Sequence, residues 1–141
     1  MGSLLYDIFM FPLEGFALKH LRRRLIPRAS GRVLELGGGT GVNLRYYDRT
    51  RVDKIVMSDL EIGPRIRKRA AEAGAEVVEA DVEALPFPDA SFDTVVFTLL
   101  FCSVADPRQG IREVRRVLKP GGRLIFMEHV LGCSPSTKGL Q

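Results

Sequence analysis

Tryptophan is absent, and cysteine and histidine occur only twice each among the 141 residues. Cys102 and Cys133 are too few for a disulfide framework, and with His20 and His129 they show no metal-ligand spacing. The chain therefore reads as a protein of a reducing, cytoplasmic setting without a metal centre. Long apolar runs are missing too: the longest, Thr94 to Val104, is about half of what a membrane span needs. Asp7, Pro12 and Glu14 interrupt the stretch that a signal peptide would need to be apolar. Internal repeats and low-complexity tracts are not seen, and nothing follows from the missing tryptophan.

What is present is an ordinary globular composition, 45% hydrophobic and 27% charged, in a length that suits one domain. The formal net charge is +4, carried largely by arginine clusters at Arg22-Arg23-Arg24, Arg65 to Arg69, and Arg112 to Arg116. Each cluster falls in an expected helix, where a solvated face accounts for it. No aromatic residues interleave with the 65–69 cluster as a single-strand nucleic-acid platform requires, so no nucleic acid is expected.

Residues 33–41 carry the most information: Val-Leu-Glu-Leu-Gly-Gly-Gly-Thr-Gly, an apolar strand running into a glycine turn. Gly37, Gly39 and Gly41 let the backbone turn tightly and approach a ligand where a Cβ would collide. A helix starting near Thr40 would aim its free N–H groups at that ligand. A glycine turn with no ligand is the plainer reading. A dinucleotide fingerprint is another, but it wants G-x-G-x-x-G, and Val42 stands at the third glycine position.

Strand and helix patterns alternate along the chain. Leu4 to Leu25 reads as helix interrupted at Pro12, with Phe16, Ala17 and Leu21 on its apolar face. Strands are expected at Arg32–Leu36, Lys54–Ser58, Glu76–Glu79, Phe92–Leu99 and Arg123–His129. Helices are expected at Gly41–Tyr47, Pro64–Ala73 and Pro107–Leu118. This order predicts an α/β fold: a Rossmann-like, doubly wound parallel sheet of about five strands, helices on both faces, with right-handed crossovers. Three parts follow: an N-terminal helical segment over 1–30, a core over 31–131, and a polar tail over 132–141.

Glu35, Asp59 and Asp81 then share a meaning. They fall at or just after the carboxyl ends of three successive strands, the edge where open α/β sheets bind ligands. A carboxylate there can accept hydrogen bonds from vicinal ribose hydroxyls or from an exocyclic amine. Each one alone could instead cap the following helix.

The Glu35-x-Gly37-x-Gly39-x-Gly41 pattern resembles motif I of the class I S-adenosylmethionine-dependent methyltransferases. Two further segments are similar to that family: Asp81 through Leu85-Pro86-Phe87 with Ser91-Phe92-Asp93, and Glu113 through Arg116-Val117-Leu118-Lys119-Pro120-Gly121-Gly122. The resemblance covers roughly residues 32–130. Its flavour is the methyltransferase-11 type, the branch of ubiquinone/menaquinone-biosynthesis, phospholipid and methyltransferase-like 7 enzymes. It implies a site for S-adenosylmethionine, and for its product S-adenosylhomocysteine, made by Tyr6, Glu35, Gly37, Gly38, Gly39, Gly41, Asn43, Asp59, Leu60, Asp81, Val82 and Leu99. In that assignment Glu35 supports the turn and the ligand's amino group, directly or through water, Asp59 holds the ribose hydroxyls and Asp81 accepts from the adenine amine. Val82 packs on the ring, Leu99 lies near the methionine moiety, and Tyr6 belongs to an N-terminal lid.

The function implied is methyl transfer to a small-molecule or lipid-like acceptor. The apolar N-terminal residues beside Arg22–Arg24 add peripheral membrane contact as an expectation, although a buried lid explains them equally. No catalytic residue is assigned. Glu128 and His129 are the one candidate acid–base pair, with His129 read as structural. Family members continue past the fifth strand, whereas this chain stops about a dozen residues after His129. Either the product is truncated, or the bare edge of the fifth strand is covered by a homo-oligomer or an exchanged segment; self-association is the expectation. The alternatives are a cofactor-binding module without activity, or a nicotinamide-dependent reductase half.

Overall fold

The computed structural model of the protein describes residues 15–128. Tyr6, His129, Cys133 and the 132–141 tail lie outside the described residues, as does most of the N-terminal segment that the sequence reading assigned to a lid.

Val33, Leu34, Glu35 and Leu36 are all buried, which fixes their strand, β1 (Gly31–Leu36), at the centre of a sheet covered on both faces. It pairs in parallel with β2 (Val52–Asp59) on one side and β4 (Phe92–Thr98) on the other. β3 (Glu76–Glu79) extends the sheet beyond β2, and β5 (Leu118–Met127) beyond β4. The five-stranded order is β3-β2-β1-β4-β5, all parallel. The chain winds outward from β1 to β3, returns across the sheet through residues 80–91, and winds outward again through β4 and β5. The order reverses between β1 and β4, and such a switch point opens a crevice at the strands' carboxyl ends.

Alternation along the strands builds two cores. Val33, Ile55, Met57, Val96 and Ile125 face one side, where they meet helix α2 (Pro64–Glu72) through Ile66 and Ala70. Leu34, Leu36, Val56, Val95 and Phe97 face the other, against Val114 and Val117 of helix α3 (Pro107–Val117). The first helix, α1 over 15–25, joins the α2 side through Leu25 and the following Ile26. Proline at the first turn suits both α2 and α3, where its missing N–H costs nothing. Asp106 caps α3 by accepting from the Gln109 amide at 3.1 Å.

Three expectations about local structure need correction. The segment after the glycines is a five-residue 3-10 turn, Val42–Tyr46, whose leading Gly41 is left-handed. Asn43 and Leu44 are drawn into the core there, so no α-helical N-terminus points at the cleft. β5 begins at Leu118 rather than Arg123. Between the pairs Phe92–Leu118 and Thr94–Arg123, residues Lys119 to Gly122 bulge out of the ladder with Gly121 at φ +75°. On α1 the inward side carries Leu18, Arg22 and Leu25, while Phe16 and Leu21 face solvent. The anchor is half-buried Arg22, whose Nε donates to the Asn43 side-chain oxygen at 2.9 Å.

The Leu-Pro-Phe-Pro-Asp linker is held by α3. Arg116 donates to the carbonyls of Leu85 (2.9 Å) and Phe87 (2.7 Å), to Asp89 Oδ1 (2.9 Å) and to both oxygens of Glu113. Glu113 also accepts from the Leu85 amide at 2.8 Å. The Arg116 guanidinium holds the Glu113 carboxyl below its usual range. Two of the sequence motifs are thus halves of one clamp, which fixes the return crossover that carries Asp81.

Candidate functional site

The glycine turn is shaped by β2. The Gly37 and Gly38 amides donate to the Ser58 carbonyl at 2.8 and 3.3 Å. The Gly39 amide donates to Asp59 Oδ2 at 2.9 Å, and Asp59 Oδ1 accepts from the Leu60 amide at 2.8 Å. A β-carbon on Gly37, at φ +64°, would stand 2.8 Å from Leu100 Cδ1, and one on Gly38 would stand 2.7 Å from Met57 Cε. The turn is therefore closed against both the core and the β4 end. Each Asp59 oxygen retains a lone pair for a ligand donor.

Asp59, Leu60, Asp81 and Val82 line one cleft of about 210 Å³ with Leu36 and Gly37. It lies at the carboxyl ends of β1, β2 and β3, at the switch point. Asp81 Oδ1 accepts the Glu83 amide at 2.9 Å in a local turn and remains exposed. Val82 is 8% exposed and packs in the α3-side core. Leu60 is 66% exposed at the rim.

Glu35 points away from this cleft, into the α2-side core. Its carboxylate accepts from Tyr47 OH at 2.7 Å and from Asn43 Nδ2 at 3.0 Å. Asn43 Nδ2 also donates to Thr98 Oγ1 at 3.2 Å. Burial pushes the Glu35 carboxyl up to about 7, against the lowering effect of Tyr47, Asn43 and the Arg22 charge. Burial and the Glu35 charge together push the Tyr47 phenol well above its ordinary value. Glu35 and Asn43 thus brace the floor under the turn, tying β1, β4 and α1 together.

The β4 end completes the wall. Leu99 adopts φ +51°, a strained conformation for leucine, and its amide donates to the Met127 carbonyl at 2.7 Å. Glu128 Oε1 accepts the next two amides, Leu100 at 2.7 Å and Phe101 at 3.0 Å. That capture turns Leu100, rather than Leu99, into the cleft, followed by Ser103 and Val104. The Glu128 carboxylate is occupied by backbone donors, which suits a positioning role. Leu100, Ser103 and Val104 were not foreseen. An apolar run continuing past a strand was their only signal, and nothing local marks a left-handed leucine.

Residues 34–126 match the methyltransferase domain family. The chain belongs to that family. A ubiquinone/menaquinone biosynthesis C-methyltransferase, UbiE, from Cronobacter sakazakii is 35% identical over 136 residues, which is 87% of this chain and 54% of that protein. The Escherichia coli UbiE sequences are 35% identical with the same coverage. The methyltransferase domain thus spans about half the length of the curated relatives it matches. Among solved structures, the YcgJ protein from Bacillus subtilis superposes with a TM-score of 0.72 at 28% identity, covering 89% of this chain and 55% of that one. An S-adenosylmethionine-dependent methyltransferase from Mesorhizobium loti does so with a TM-score of 0.63 at 30% identity, over 77% and 52% of the two chains. Neighbours of this kind share the parallel-sheet fold, and they do not favour the nicotinamide alternative.

Proposed function

We propose that this methyltransferase domain binds S-adenosylmethionine in the cleft between Gly37, Asp59 and Asp81 and directs its methyl group to a small, apolar acceptor. The observation that carries the reading is the convergence of three separate sequence signals on one cleft: the glycine turn after β1, Asp59 after β2, and Asp81-Val82 after β3. The residues fit the cofactor. Asp59 offers acceptor lone pairs to a ribose edge, Asp81 and Val82 offer an acceptor and an apolar face to a base, and Gly37 leaves its ligand side without a Cβ.

When bound, the cofactor supplies an activated sulfonium methyl. The chain's own residues hold and align. Asp59 orients one part of the nucleoside while keeping the turn in place through Gly39. Leu36, Val82, Leu100 and Val104 surround the cleft with apolar side chains, which keep water from the reacting face. In-line displacement needs chiefly this alignment, and no general base is assigned. The small apolar acceptor is supported by the curated relatives, which are named as quinone-pathway C-methyltransferases.

The alternative, a cofactor-binding module without activity, rests on the chain's spanning about half of those relatives. The two part when the purified chain is incubated with methyl-labelled S-adenosylmethionine and a demethylated quinol. Label in the extracted quinol, lost in Asp59→Ala, is the outcome expected. Cofactor binding without label in any apolar acceptor would leave the module reading.

A further inference from the structure

The two faces of the sheet differ sharply in charge. On the α2 side, α1 carries Lys19, Arg22, Arg23 and Arg24 with no carboxylate. The 42–51 segment adds Arg45, Arg49 and Arg51 against Asp48, and α2 adds Arg65, Arg67, Lys68 and Arg69 against Glu72. Among the described residues the ion pairs are made by Lys54, Arg116 and Lys119. No guanidinium of α1, the 42–51 segment or α2 takes part in one. The α3 side is balanced: Arg108, Arg112, Arg115 and Arg116 stand there with Glu83, Asp89, Asp106 and Glu113, and Arg116 is enclosed by Glu113 and Asp89.

This positive charge is also self-opposing. Arg65 has Lys68 and Arg69 at i+3 and i+4 on the same helix face, spacings at which like charges cost stability. A groove of about 810 Å³ runs between the 3-10 turn and α2, rimmed by Arg45, Arg49 and Arg69 and floored by Leu44 and Tyr47. A second groove, along Pro64, Arg65 and Lys68, shares Arg69 with it, and Glu72 is the one carboxylate that lines both. On α1, which joins the same side of the sheet, Phe16 is 78% and Leu21 39% exposed.

We propose that this face docks on an anionic lipid surface, with headgroup phosphates against the Arg45–Arg49–Arg69 and Arg65–Lys68 grooves and Phe16 entering the interfacial layer. Basic residues close to an anionic leaflet each add to the attraction, and an exposed apolar side chain among them is the mark of an interfacial element. The tyrosines of this face offer no platform for a nucleic-acid base. Arg45 already lies over the Tyr46 ring at 4.9 Å, and the Tyr47 hydroxyl is buried on Glu35. Neither is free to stack on a base. The inference is independent of methyl transfer and stands or falls separately from it.

The test is co-sedimentation of the chain with vesicles of phosphatidylcholine alone or mixed with phosphatidylserine, at low and high salt. Binding is expected only with phosphatidylserine, falling as salt rises. Arg65→Glu with Lys68→Glu, two exposed side chains outside the cofactor cleft, should weaken it by about thirtyfold or more with no loss in melting temperature. Phe16→Glu should weaken it independently. Binding that ignores lipid charge, binding untouched by the charge reversal, or no binding at all overturns the proposal. So does an oligonucleotide that strips the protein from the vesicles, which would assign the face to nucleic acid.

Discussion

The Asp59 carboxylate and the Gly39 amide lie 2.9 Å apart, so the residue that ends β2 also holds the middle of the turn that ends β1. One side chain therefore serves two tasks, shaping the turn and presenting acceptor oxygens to the cleft. Asp59→Ala should reduce affinity for S-adenosylhomocysteine by about tenfold or more, since a charge-assisted hydrogen bond is lost and the turn loosens. Asp59→Asn keeps one acceptor and should fall between the two, by calorimetric titration of all three proteins.

Gly37 is left-handed and crowded by Leu100. Gly37→Ala places a methyl group 2.8 Å from Leu100 Cδ1 at a φ of +64°. The expected cost is about 2 kcal/mol of stability, read by urea unfolding, together with loss of cofactor affinity. An alanine variant with wild-type stability and binding would show that the turn tolerates a side chain at this position.

Buried Glu35 makes stability depend on pH. Its carboxyl is raised from 4.5 to about 7 in the fold, so between those values the folded chain binds the proton that the unfolded chain releases. The contribution is fully present at low pH, declines as pH rises through that window, and is gone above about 7. Its full size is about 3 kcal/mol. Glu35→Gln keeps the shape without the titration. Its melting temperature should fall less than the wild type's between pH 5 and pH 8, and parallel curves would contradict the assignment.

Much of the candidate site is legible in the sequence because a parallel sheet puts every strand's carboxyl end on one edge. Once β1, β2 and β3 are placed, Gly37, Asp59 and Asp81 must be neighbours, whatever their separation along the chain. The same logic does not reach Glu35, which sits one residue before the strand end and so faces the core while Leu36 faces the cleft side. Nor does it reach α1. Periodicity put Phe16 and Leu21 inward, yet a tertiary hydrogen bond to Asn43 turns Arg22 in and leaves them exposed. The left-handed Leu99 and the bulge before Arg123 are decided by pairing between β4 and β5, which no local pattern records.

Glu128 holds the β4 end through two amides. Glu128→Ala should cost about 1 kcal/mol, because two half-buried amides lose their acceptor, and should weaken cofactor binding through Leu100. Glu128→Gln retains an acceptor oxygen and should restore most of both. A general base would instead lose its function in the glutamine variant, so the pair of variants separates the roles by thermal unfolding and titration.

The free edge of β5 gives a prediction about assembly. Among the described residues β5 pairs only with β4, and Leu124 and Phe126 are 39% and 53% exposed beside that edge. Such an edge invites another strand, and a second copy of the chain provides one through two-fold symmetry. Light scattering at micromolar concentration should show self-association, reduced by Phe126→Asp. A monomer throughout would remove the idea.

The most direct test of the central claim is calorimetric titration of the chain with S-adenosylmethionine and S-adenosylhomocysteine, with NAD as control. Saturable binding of both sulfur ligands, silence from NAD, and loss of binding in Asp59→Ala are the results predicted. No binding of either sulfur ligand to the folded chain, or binding that survives Asp59→Ala unchanged, would contradict the assignment of the cleft.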